Sequence, residues 1–125
     1  MKKYIGDYLS SGEKENLESV IEDLAKMLRS FVNCRMYTFV DKLANAASKE
    51  VILSTIYEAL RVAKSAVDSG RPLCEKNGVS IRAYVAKESS VKVLMEILDE
   101  DLEKGLEFVK KISVRSLSFP ERGGG

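Results

Sequence analysis

Apolar residues recur every three or four positions in the first half of the chain, a spacing typical of amphipathic helices. The first stripe predicts a helix over about residues 11–35, preceded by a Ser-Ser-Gly-Glu capping box at residues 10–13. A second, shorter helix follows. A third begins after Ser48 as its N-cap and ends near Gly70, because Pro72 prevents its continuation. The expected core-facing residues are Leu17, Val20, Ile21, Leu24, Met27, Leu28 and Phe31, then Phe39, Val40, Leu43, Ala44 and Ala47, then Ile52, Ile56, Ala59, Ala63 and Val67.

The pattern changes after residue 70. Asn77-Gly78 is a strong hairpin signal, and apolar and polar residues then alternate over residues 79–85 as in a half-buried strand. Ser89 or Ser90 is expected to cap a fourth helix, a fifth apolar run starts near Leu102, and residues 114–119 resemble a last strand.

These elements predict a mainly α fold, an antiparallel helical bundle with a small C-terminal α/β lobe of two or three short strands. The chain of 125 residues is expected to form a single domain. Within it, residues 1–70 would form the helical core, residues 71–120 the lobe, and residues 121–125 a flexible glycine tail.

The sequence contains no histidine, and this argues against an enzyme. Serine and cysteine triads with histidine and histidine-containing zinc sites are excluded. No phosphate-binding glycine loop is present. The carboxylates of residues 96–107 are consecutive in sequence, and a solvated surface explains them better than a metal site. We therefore expect no catalytic residue, no metal and no cofactor.

The two cysteines, Cys34 and Cys74, lack the spacing of a zinc site. Reduced thiols in a cytoplasmic protein are the favoured interpretation over a metal site, and a disulfide remains open. No apolar run is long enough to span a bilayer, and the N-terminal segment does not resemble a secretory signal. A cytoplasmic protein without membrane contact is expected.

Charge is strongly segregated along the chain although the net charge is only +1. Residues 24–87 carry eleven basic and five acidic residues, whereas residues 88–107 carry two basic and seven acidic residues. A basic middle beside an acidic segment either faces a polyanion or is neutralised within one fold.

The candidate binding residues lie on the outward face of the third helix. Tyr57, Arg61 and Lys64 lie opposite Ile52 and Ala63 at 100° per residue. An exposed ring with nearby cations can stack a base and hold phosphates, although an ordinary surface pair is the commoner arrangement. The predicted strand repeats the combination on its outward side with two more candidates, Arg82 and Tyr84, and there too a solvated sheet face is the commoner explanation.

Residues 37–50 read Tyr-Thr-Phe-Val-Asp-Lys-Leu-Ala-Asn-Ala-Ala-Ser-Lys-Glu and continue into a helical run to Tyr57. This stretch resembles the small subunit, of the Csa type, of archaeal type I-A CRISPR interference complexes. The helical bundle followed by a strand-containing lobe is also similar.

The resemblance implies a non-enzymatic subunit that packs along a guide-RNA complex and helps hold the DNA strand displaced during R-loop formation. Its partners would be the other subunits, further copies of itself and single-stranded nucleic acid. It supplies no nucleic-acid ligands to carry over, so the five candidate residues depend on the helix and strand patterns alone. The alternative is a helical protein–protein adaptor without nucleic-acid contact, and an enzyme using carboxylates and a metal is third.

Overall fold

The computed structural model describes residues 12–117, with side-chain environments from residue 17 onward. Five helices and one hairpin follow one another within these described residues. Their bounds are α1 Gly12–Asn33, α2 Thr38–Ala44, α3 Lys49–Asp68, β1 Cys74–Lys76, β2 Val79–Ile81, α4 Glu88–Glu100 and α5 Leu102–Leu117. The mainly helical fold with a small two-stranded antiparallel sheet confirms the predicted fold class.

One hydrophobic cluster joins all five helices. The α1 stripe lies at its centre, with Leu24 and Met27 completely buried, and α5 packs along α1. Phe31 meets Phe39 edge to face, with ring centroids 4.9 Å apart, and this contact positions α2 against the end of α1. The core is therefore continuous across residue 70, since α4 and α5 contribute Leu94, Ile112 and their neighbours.

Most helix predictions are confirmed, and a few positions differ. Ser48 caps α3 by accepting the Val51 amide at 3.2 Å. Val67 is half exposed, and Ala66 takes the core position in its place. Ala44 and Ala47 are exposed, because α2 ends after two turns. Residues 10 and 11 of the predicted capping box and the glycine tail lie outside the described residues.

The predicted last strand is wrong. Residues 114–117 continue α5, because Ile112, Ser113 and Ser116 keep helical spacing toward the core. The strand predicted over residues 79–85 ends at Ile81, so the hairpin has three residues on each side. Its turn is formed by Asn77 and Gly78, both with positive φ, as the sequence predicts.

A disulfide joins Cys34, just beyond α1, to Cys74, the first residue of β1. The favoured prediction of reduced thiols is therefore wrong, and the alternative left open is the one observed. The two cysteines are 40 positions apart, and no sequence pattern indicated that the end of α1 and the start of the hairpin meet. The crosslink connects the hairpin to the helical core.

The helices α1 and α3 end in the same hydrogen-bonded motif, in which one residue takes a left-handed conformation. In α3 that residue is Gly70, with φ 71°, and Arg71 donates its amide to Ala66. In α1 the equivalent residue is Arg35, with φ 61°, and Met36 donates its amide to Phe31. An arginine therefore occupies a position at which glycine is the favoured residue.

Gly105 of α5 packs closely against Leu98 of α4. A Cβ atom at this position would lie 3.0 Å from Leu98 Cγ and 3.1 Å from Leu98 Cα. Helix propensity alone predicts that Gly105→Ala stabilises the protein by about 1 kcal/mol. We instead expect a net loss of about 1–2 kcal/mol in urea unfolding, because the backbone of Leu98 must move. A gain in stability would contradict this close helix contact.

Candidate nucleic-acid interface

The three candidates on α3 all lie on its exposed side. Tyr57 is 50% exposed, but its hydroxyl donates to the Met95 sulfur at 3.4 Å on the side that faces α4. Arg61 pairs with Glu58 at 2.6 Å. Lys64 is exposed and forms no ion pair with any described side chain. Arg61 and Lys64 line the same surface depression, and Tyr57 lies outside it.

The two remaining candidates, Arg82 and Tyr84, lie in different parts of the structure. Arg82 is exposed and donates to the Gly70 carbonyl at 3.3 Å, so it lies at the C-terminal end of α3. Tyr84 lies beyond β2 and is half-buried, with its hydroxyl donating to the Asp23 carboxylate on α1. The expected outward orientation of Tyr84 from a strand is thus wrong, and the structure does not bring Tyr84 together with the α3 residues.

The contact with Asp23 occupies the polar end of Tyr84. This hydrogen bond, burial and the negative charge of the carboxylate together raise the pKa of Tyr84 to about 12. The Lys26 ammonium lies 5.4 Å from the centre of the ring. Tyr84 therefore connects α1 to the segment before α4.

A groove runs between α3 and the loop that joins α1 to α2. It consists of two adjoining depressions, of about 670 and 480 Å³, which share Met36 and Val62. The charged residues that line it are Arg35, Lys42, Glu58, Arg61 and Arg71. We call these two depressions the basic groove. Arg61 and Ser65 also border the depression that holds Lys64, so the cations continue across α3.

Tyr37 lines the basic groove and is 44% exposed. It provides an accessible aromatic ring inside the groove, whereas Tyr57, which is also exposed, does not line it. Sequence reasoning missed Arg35, Tyr37, Lys42 and Arg71 because they lie at or beyond helix ends, where periodicity gives no orientation. The basic excess of residues 24–87 was the only signal of this surface.

The acidic residues of the second half have several structural roles. Asp99 pairs with Lys49 at 2.6 Å and thereby connects α4 to α3, and this pairing raises the pKa of Lys49. Asp101 accepts the amides of Glu103 and Lys104 at the start of α5. Among residues 12–117, no cluster of acidic or cysteine side chains has the arrangement of a metal site. No described helix is both long and apolar enough to cross a bilayer.

Comparison with known families identifies the class of protein. The model of a CRISPR-associated protein family, Cas_Csa5, matches residues 27–113, from the middle of α1 to near the end of α5. The chain therefore belongs to the Csa5 family of CRISPR-associated proteins. No curated protein and no solved structure matches it significantly. The matched region includes the basic groove, α3 and the hairpin.

Proposed function

We propose that this protein is a non-enzymatic small subunit of a type I-A CRISPR interference complex of archaea, located in the cytoplasm. It packs along the guide-RNA complex, in several copies, and helps hold the displaced DNA strand during R-loop formation. Family membership supports a role in a CRISPR complex. The segregation of acidic and basic segments supports complementary contacts with other subunits.

The observation that carries the proposal is the series of exposed cations across α3. Arg61, Lys64 and Arg82 lie along this helix or at its end, and the basic groove continues from them. Binding a single strand without reading its sequence requires cations along the backbone and aromatic rings for the bases. In RNA-guided complexes base pairing reads the sequence, so the protein needs only such a surface.

Replacing Arg61 and Lys64 together by alanine is expected to weaken binding to single-stranded DNA. Loss of about two phosphate contacts should flatten the slope of log affinity against log salt by roughly 1.4, at about 0.7 per phosphate. Fluorescence anisotropy with a labelled oligothymidine, between 50 and 300 mM salt, measures this slope. In the assembled complex, the same variant should leave displaced-strand thymines more reactive to permanganate.

A matched control is Lys92→Ala with Lys110→Ala, which removes the same charge from exposed positions of α4 and α5. This pair should retain most of the affinity and the slope. If both double variants weaken binding equally, the protein attracts DNA through its overall charge and has no site on α3. Parental protein that enters the complex but leaves the displaced strand unprotected would support the adaptor alternative.

The adaptor alternative has a specific surface of its own. A depression of about 380 Å³ between α1, α4 and α5 is lined by Leu17, Ile97 and Phe108 with charges of both signs around them. Such an arrangement suits a contact with another protein. The two functions are compatible in one subunit, since this depression and the basic groove share no residue.

A further inference from the structure

The basic groove has a charge that favours a polyanion. Four cations line it against one carboxylate, Glu58, which is already paired with Arg61. Arg35, Lys42 and Arg71 form no ion pair with any described side chain. Fixed cations in a concave surface attract a phosphate backbone more strongly than the same charges spread over a convex surface.

The two walls of the groove are built alike. Met36 follows the left-handed residue of α1, Arg71 follows the left-handed residue of α3, and both line the same depression. The Cys34–Cys74 disulfide crosslinks these two chain segments. The crosslink holds the two segments together before any ligand arrives, and such preorganisation reduces the entropy lost on binding.

Arg35 is the unusual residue of the two that end α1 and α3 in a left-handed conformation. Gly70 takes the left-handed conformation in α3 without strain, whereas Arg35 takes it in α1 with a complete side chain. Residues held in disfavoured backbone conformations are concentrated at functional sites. The Arg35 side chain lines the groove two residues before the exposed ring of Tyr37.

We infer that single-stranded DNA lies in the basic groove, where Arg35 holds a phosphate and Tyr37 stacks on a base. This inference deepens the proposed function and rests on it. A single strand fits because its bases are free to stack on an exposed ring. A duplex satisfies the cations but hides its base faces. An acidic peptide also satisfies the cations but gains nothing specific from Tyr37.

The decisive variant is Arg35→Gly, because it should separate binding from stability. Glycine suits the left-handed position, so the urea midpoint should equal or exceed that of the parent. Binding of a labelled oligothymidine should nevertheless weaken, and the salt slope should flatten by about 0.7 as one phosphate contact is lost. Tyr37→Ala should weaken binding about 5- to 150-fold, the equivalent of 1–3 kcal/mol of stacking, with the slope unchanged.

The matched control is Asn77→Gly, which also places glycine at a non-glycine position with positive φ, but in the hairpin turn and without loss of charge. It should leave binding unchanged. Unchanged binding in Arg35→Gly and Tyr37→Ala overturns the inference. If Arg61→Ala with Lys64→Ala still weakens binding in that case, the proposed function stands and the strand crosses α3 without using Arg35 or Tyr37.

Competition identifies the occupant. Unlabelled oligothymidine should displace the probe at a lower concentration than duplex DNA of equal length or a polyglutamate peptide, and oligouridine should show whether the sugar matters. Displacement by polyglutamate or duplex at equal or lower concentrations overturns the assignment of a single strand to this groove. Failure of the parental protein to bind any single strand, alone or in the complex, refutes the proposed function itself.

Discussion

Replacing Cys34 and Cys74 together by serine is expected to lower the free energy of unfolding by about 4 kcal/mol. The disulfide closes a loop with a sequence separation of 40, which contains α2 and α3. In the chain-entropy model the crosslink removes conformations from the unfolded state, and a loop of this length gives about that magnitude. It is a large share of the roughly 5–15 kcal/mol typical of a domain.

Urea unfolding followed by circular dichroism measures the effect. The parent in a strong reductant should unfold at nearly the same midpoint as the double serine variant, since both lack the crosslink. The double variant should not respond to the reductant. Equal midpoints for the oxidised and the reduced parent would show that the crosslink adds no stability. Mass spectrometry after thiol alkylation verifies the redox state of each sample.

The sequence predicted those parts of the fold that depend on local signals. The stripe of α1, the Ser48 cap, the Gly70 stop and the Asn77-Gly78 turn all lie within a few residues of the structure they specify. Errors arose where distant residues decide the outcome. Residues 114–117 have a serine-rich sequence that suits a strand, but packing of α5 along α1 keeps them helical.

The start of α4 shows the same limit. Ser89 or Ser90 was the expected cap, but α4 begins at Glu88. Its N-cap residue is Lys87, whose side chain makes no capping hydrogen bond. Asp23 on α1 instead accepts the Lys87 amide at 2.8 Å and the Ser90 hydroxyl at 2.7 Å. The acceptor comes from 64 residues away in sequence, so no local pattern predicts it.

The candidate site was predictable only in part, for a related reason. Helical periodicity correctly placed Arg61 and Lys64 on an exposed surface of α3. The basic groove arises where the end of α1 meets the end of α3, and that meeting depends on tertiary packing and the disulfide. Arg35 and Arg71 are unremarkable in the sequence because nothing in it shows that they line one groove.

Asp23 is the second position at which we expect a large effect. Its side chain is on a residue only 6% exposed, and it accepts three hydrogen bonds, from Tyr84, Lys87 and Ser90. Asp23→Ala should therefore lower the free energy of unfolding by about 3 kcal/mol, because each hydrogen bond to a charged group contributes about 1.5–3 kcal/mol and their losses are not additive. The negative charge beside the N-terminus of α4 is also lost.

The pKa of Asp23 gives this prediction a second measurement. Burial raises the pKa of the carboxyl group, but the hydrogen bonds from Tyr84, Lys87 and Ser90 and the charge of Lys87 outweigh it, so the net pKa lies below 3.8. The stabilisation is therefore complete above the unfolded-state pKa of about 3.9 and is lost as the pH falls through the lower folded-state pKa. Asp23→Asn removes the ionisable group at almost constant size. The stability gap between parent and Asp23→Asn should narrow as the pH falls from 5 toward 2.

Tyr84 tests the same contact from the alkaline side. Since its folded-state pKa is raised to about 12, its contribution is complete below the unfolded-state value of about 10 and is lost as the pH rises through 12. The chain has no tryptophan, so tyrosinate absorbance can be followed without interference. One tyrosine should ionise near pH 12 in the parent, and this step should be missing in Tyr84→Phe and shifted toward 10 in Asp23→Ala. A gap between parent and Asp23→Asn that stays constant from pH 5 to 2, together with the same tyrosine titration in the parent and in Asp23→Ala, would show that Asp23 does not organise this junction.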